Sequence, residues 1–134
     1  MKESKSVIFK NSVIKHLREQ HFNINQPNKE RNTFTVFPPT GIGFVIAFEK
    51  KHLLIANFIG LKNKNRRKLL EFVNDLNNRS FRMKFSIDNE NILMMDTRIA
   101  NIYQKKEFQN ILEDISYDMN DLLKGNNLIG EMLE

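Results

Sequence analysis

The sequence predicts an α+β domain: one antiparallel sheet of about five strands with helices packed mainly on one face, in the order α-β-β-β-α-β-β-α. Three observations carry this expectation. Leu69, Phe72, Val73 and Leu76 recur at i, i+3, i+4 and i+7, the spacing of a helix with a single apolar stripe. Phe81, Met83, Phe85 and Ile87 alternate with Arg82, Lys84 and Ser86, which puts four apolar side chains on one face of a strand. Residues 42–48 and 53–59 are apolar on both parities, the pattern of central strands whose two faces are both at least partly covered.

The first helix is expected over 7–21, where Ile8, Val13, Ile14 and Leu17 give a modest apolar stripe and Ser6 is a suitable N-cap. Gln26-Pro27-Asn28 and the polar run to Asn32 then read as a loop, because proline and asparagine favour turns over ladder positions. A strand follows at 33–37. Pro38-Pro39-Thr40-Gly41 stops it, since proline has no N–H to give to a ladder. The apolar segments 42–48 and 53–59, joined by Lys50-Lys51, form a central hairpin that ends at Gly60.

Asn63 or Asn65 caps the second helix, and Asn77-Asn78 suits its end because asparagine tolerates the left-handed conformation found there. The alternating strand 81–87 turns at Asp88-Asn89-Glu90-Asn91 and returns as 92–99. The last helix, 105–123, carries Phe108, Ile111, Leu112, Ile115, Met119, Leu122 and Leu123 on one side, with Glu113, Asp114, Asp118 and Asp121 assigned to its outer face. Gly125 breaks it. Residues 125–134 hold Leu128, Ile129, Met132 and Leu133, enough apolar content to dock on this chain or on a second copy, with fraying as the alternative.

Composition bounds what the chain does. Its 134 residues suit a single domain over 1–134 with one core. Eleven Phe against two Tyr and no Trp supply ring mass without polar handles, which suits core and interface. The absence of Cys excludes disulfides, thiolate zinc sites and a cysteine nucleophile, and it fits a reducing compartment, with the cytoplasm as the default. Nothing near the N-terminus has the form of a signal peptide, and no apolar run approaches the ~20 residues that span a bilayer, so a soluble protein is expected. The net charge of +5 is unevenly spread: residues 1–67 carry 13 Lys and Arg against 4 Asp and Glu, whereas residues 68–134 carry 8 against 12. Such a dipolar chain steers an acidic partner to one end or favours association of two copies, unless the charge is simply solvated.

No constellation points to catalysis, cofactor or metal. His16 and His21 are five residues apart, off a common helical face, and His52 stands alone. Gly41-Ile42-Gly43 leads into a strand, where a phosphate loop would open a helix, and it lacks the Gly-Lys-Ser/Thr ending. Carboxylates on an exposed helix face have no dry pocket to tune them for acid or base work. Lys62, Lys64, Arg66, Arg67 and Lys68 form the densest basic cluster and are the candidate patch for nucleic acid, without any recognisable base-reading motif. The apolar excess of the hairpin is the other signal. A two-layer domain leaves its second sheet face polar, yet Val45, Ala47, Leu54 and Ala56 call for cover from the same chain, a second subunit or a client. Phe44, Phe48, Leu54 and Phe58, with Lys50 and Lys51 at the rim, are the candidate partner-binding residues, acting through the sheet face or through strand addition at an edge.

The helix Leu69-Leu70-Glu71-Phe72-Val73-Asn74-Asp75-Leu76-Asn77, the strand through Phe81, Lys84 and Phe85, and the turn Asp88-Asn89-Glu90-Asn91-Ile92-Leu93 together carry a resemblance. The chain resembles the YbjN-like family, which is similar in fold to the type III secretion chaperones. The resemblance covers about residues 7–123 and implies a non-enzymatic α+β domain. Those chaperones work as homodimers that hold an extended client segment along their surface. They are usually acidic, and this chain departs from them in being basic.

Overall fold

In the computed structural model, which describes residues 5–26, 32–126 and 129–133, one six-stranded antiparallel sheet is accompanied by three principal helices. The elements run α1 (Lys5–Glu19), β1 (Asn23–Asn25), β2 (Thr33–Phe37), β3 (Phe44–Phe48), β4 (His52–Gly60), α2 (Arg66–Arg79), β5 (Lys84–Ile87), β6 (Ile92–Ala100) and α3 (Lys105–Ser116). A π-helical turn at Tyr117–Leu122 follows, then two short helices, α4 (Leu123–Gly125) and α5 (Ile129–Leu133). The strand order is β1-β2-β3-β4-β6-β5, so the predicted hairpin strands β3 and β4 occupy the two central positions.

The count of about five strands is corrected to six by β1. Its sequence, Asn-Ile-Asn, is too short and too polar to register as a strand, and only its antiparallel pairing with β2, Ile24 opposite Val36, makes it one. The proline-containing loop expected before β2 falls largely at 27–31, outside the described residues, as does Leu128 of the C-terminal segment.

Contacts cluster into two compact units, residues 1–55 with 98–110 and residues 56–97 with 111–134. In the first, α1 buries Phe9, Val13 and Leu17 on the side of the sheet that carries Phe34, Phe44 and Phe48. Edge-on ring contacts join α1 and the residues after it to the sheet, Phe9 on Phe48 at 6.1 Å and Phe22 on Phe44 at 6.4 Å, and Phe34 meets Phe48 within the sheet at 5.8 Å. The helix ends in a paired Schellman arrangement. The His21 N–H donates to Arg18 O, the Phe22 N–H donates to Leu17 O, and His21 takes the left-handed position at φ 66°. This reversal delivers Phe22 onto the core and leads directly into β1.

In the second unit α2 is capped by Asn65, whose Oδ1 accepts the Lys68 N–H at 3.2 Å, and Asn63 in turn holds the Asn65 N–H at 2.8 Å. Its stripe of Leu69, Phe72, Val73 and Leu76 is buried. The β5–β6 turn is an Asx turn: Asp88 Oδ1 accepts the N–H groups of Glu90 and Ile92, and Asn91 takes φ 61°. Met132 is fully buried, and its carbonyl accepts the Lys62 N–H at 3.0 Å, which ties α5 to the segment before α2.

Asp118 departs from the sequence expectation. It was assigned to the outer face of the last helix, but it is completely buried. Helical spacing is the physical reason: Asp118 lies three residues after Ile115 and four before Leu122, within the π-helical turn, and so shares the buried stripe with Met119.

Candidate functional site

The strand registers sort the predicted partner residues onto opposite sides. In the first unit Phe34 faces Ile46 and Val36 faces Phe44 across the β2–β3 ladder, and all four are buried toward α1. Thr33 opposite Ala47 and Thr35 opposite Val45 therefore point the other way. The Glu49 N–H donates to His52 O at 2.9 Å across the two-residue turn, which sets Ala47 opposite Leu54 on that same open face. Val45, Ala47 and Leu54 are half-buried there, and Phe37 is 49% exposed.

Phe44 and Phe48 thus pack on the α1 side, Phe44 fully buried, while Leu54 lies on the open face and the two sets are not brought together. Alternate parity decides this. The sequence showed apolar residues on both parities without showing which parity meets the helix. Phe58, in the second unit, is 54% exposed, whereas Ala56 is buried. A residue that sequence reasoning missed is Phe37. Its ring covers Gly43 so closely that a Cβ there would lie 2.8 Å from it, so the glycine is what lets an aromatic side chain lie flat on the open face.

Lys50 and Lys51 are exposed in the β3–β4 turn, which is hydrogen-bonded to Arg98 and Asn101. The Asn101 side-chain amide donates to the carbonyls of Glu49 and Lys50 at 3.3 and 3.2 Å, and Arg98 Nε donates to Glu49 Oε1 at 3.1 Å.

The basic cluster is divided. Arg66 serves the fold, donating through Nη1 to Asp88 O at 2.7 Å and Asn91 Oδ1 at 3.4 Å, and through Nη2 to Ile87 O at 3.5 Å. Arg67 pairs with Glu71 at 3.4 Å on an exposed helix face. Lys62, Lys64 and Lys68 are exposed.

The outer edge of β5 is occupied by side chains of its own unit. The Asp118 oxygens accept three successive backbone N–H groups, those of Phe81, Arg82 and Met83, at 2.8, 2.7 and 2.8 Å, a concave nest of donors filled from within. Asn77 follows, its Oδ1 accepting the Phe85 N–H and its Nδ2 donating to the Phe85 carbonyl, both at 2.8 Å. Phe85 lies between the paired positions Lys84 and Ser86, and a side-chain amide stands in there for a neighbouring strand. Strand addition at this edge would have to displace both groups, so the edge mode anticipated from sequence is blocked on this side of the sheet. Asn77 had been read only as a helix-ending residue.

His16 is buried in the first unit with both ring nitrogens engaged, Nδ1 with the Tyr103 hydroxyl at 2.9 Å and Nε2 with Gln109 Oε1 at 2.8 Å, and its ring lies edge-on to Phe108 at 4.9 Å. Burial, and secondarily the negative charge of Glu19, push the Tyr103 hydroxyl above the ordinary tyrosine value of 10.0. Among the described residues no group of three His, Asp or Glu side chains is gathered that could hold a metal ion, and no helix is long and apolar enough to cross a membrane.

No protein-family model and no curated protein sequence matches the chain. A solved structure does: YbjN from E. coli, described as a proposed transcription regulator, superimposes with a TM-score of 0.63 at 12% sequence identity, over 82% of this chain and 87% of that one. The chain therefore has a YbjN-like fold, the α+β architecture that its helix–strand–turn signature led us to expect.

Proposed function

We propose that the chain is a non-enzymatic protein-binding module, chaperone-like or regulatory, a single domain over 1–134 that works in the cytoplasm as a homodimer. The observation that carries this reading is the open face of the first unit, where Val45, Ala47 and Leu54 lie half-exposed beside Phe37 on the side of the sheet away from α1. The face is neutral at its centre, with Thr33 and Thr35 beside the apolar residues and the cations Lys50 and Lys51 at its rim. A chain with net charge +5 can bring such a surface against its own copy without like charges meeting in the middle. The second copy is therefore the occupant assigned to this face, with α5 docked on its own chain, a placement supported by the burial of Met132.

Phe44 and Phe48 leave the contact set because they fill the α1 side, and Val45, Leu54 and Phe37 take their place. Light scattering across a dilution series tests the reading. Wild type is expected to run as a dimer, and Leu54→Asp, which puts a charge into the contact, as a folded monomer. A wild-type monomer at all concentrations, or a Leu54→Asp dimer of unchanged affinity, overturns it.

A second reading keeps nucleic acid as the partner through Lys62, Lys64 and Lys68, supported by their exposure and by the description of YbjN as a proposed transcription regulator. A gel shift at low and moderate salt, repeated with Lys62, Lys64 and Lys68 changed to alanine, decides it. A tight shift lost in the variant moves the function to nucleic acid.

A further inference from the structure

We propose that the groove beside α1 in the first unit is a binding site for an acidic, partly apolar peptide segment. The groove has a volume of about 640 Å³, within the range of sites that hold small ligands or a short stretch of chain. Its lining is apolar at the half-buried Ile14 and at Phe34, of which little is exposed, and Lys10, Lys15 and Arg18 line it from α1. Among the described residues Glu19 is the one carboxylate in the lining, and its contact with Lys15 is long, 3.9 Å between exposed side chains, so it neutralises little. The site therefore offers two net positive charges beside an apolar lining, matched by a ligand whose carboxylates alternate with apolar side chains.

The chemistry favours a peptide over a nucleic acid. Single strands are held by stacking bases on open aromatic faces, and Phe34 has none to give: it is buried, Lys10 Nζ sits 5.3 Å from its ring centroid, and the edge of Phe48 meets it at 5.8 Å. Lys10 is also held in place, donating to Asn32 Oδ1 at 2.9 Å, so it closes one wall of the groove and does not swing freely toward a phosphate track.

The groove is on the α1 side of the sheet and the proposed dimer face on the other, so the two readings fail separately. The test is fluorescence anisotropy on the full chain with a labelled peptide alternating glutamate and leucine. A lysine–leucine counterpart and a labelled single-stranded oligonucleotide serve as the other arms. Saturable binding of the acidic peptide is expected, about tenfold weaker in Lys15→Glu/Arg18→Glu and about threefold weaker in Arg18→Gln, and unchanged in Leu54→Asp. Both positions are exposed, so far-UV circular dichroism should show an intact fold in each variant. No binding, equal binding of the basic peptide, or unchanged affinity in the charge-reversal variant overturns the proposal. Tighter binding of the oligonucleotide that is lost in the same variant also overturns it and reassigns the groove to nucleic acid.

Discussion

The two compact units each bury a polar side chain at the heart of the packing, and they use it differently. In the first, His16 joins side chain to side chain, linking α1 to Tyr103 and to Gln109 of α3. In the second, Asp118 joins side chain to main chain, and together with Asn77 it consumes the backbone groups along the outer margin of β5. The contrast shows how one sheet treats its exposed parts. Where main-chain groups would recruit a foreign strand, the fold spends its own polar side chains to occupy them. Where the exposure is of side chains on a face, as at Val45, Ala47 and Leu54, the apolar residues stay half-buried.

The sharpest way to break this comparison is Asp118→Ala. Removing an acceptor from three buried or partly buried N–H donors is expected to cost about 3–4 kcal/mol in urea unfolding. Asp118→Asn should recover little, since its amide NH₂ would meet N–H donors. A loss below about 1 kcal/mol would mean that water replaces the carboxyl and that the second unit does not depend on it. His16→Ala comes next, at about 2–3 kcal/mol, from a cavity beside Phe108 plus the partners left behind on Tyr103 and Gln109.

Asn77→Ala is expected to lower stability by about 1.5 kcal/mol and also to increase aggregation measured by turbidity, because it reopens the edge at Phe85. Lost stability without added aggregation would show that the amide is a packing element and not a guard. A smaller effect of opposite sign is expected at His21, which holds a left-handed conformation better suited to glycine. His21→Gly should raise stability by about 0.5 kcal/mol.

The smallest effect concerns pH. The Tyr103 hydroxyl has a folded-state pKa above its unfolded value of 10.0, so its contribution to stability is complete below that value and is lost as pH rises through the folded pKa. In a 295 nm absorbance titration, the component that disappears in Tyr103→Phe should be the one that titrates above 10.0. A component at or below that value would show that burial does not act on this hydroxyl.

Periodicity made much of the fold readable. The α2 stripe and the Asx turn at Asp88 are local patterns found where the spacing put them, whereas the alternating strand expected over 81–87 is shorter, Lys84–Ile87, with Phe81 exposed outside it because Asp118 takes the backbone N–H groups of 81–83. β1 was not readable, because three residues of Asn-Ile-Asn have no period. The inward orientation of Asp118 was carried by its spacing, three residues after Ile115 and four before Leu122, but a carboxylate is assigned outward by its charge until three backbone donors are seen to hold it. The candidate surface was half visible: Leu54 and the lysine rim were named, while Phe37 depended on its close approach to Gly43.

The sequence by itself determined that the chain builds helices and strands with one greasy side and a hairpin with more apolar surface than a single helical layer absorbs. Side-chain period is a local property, and each segment carries it alone. Only the tertiary structure decided which parity of β3 and β4 meets α1, which strand margin is filled by Asp118 and Asn77, and hence which apolar residues remain partly exposed. Those choices are set by registers and packing between segments far apart in the chain, and no single stretch of residues contains them.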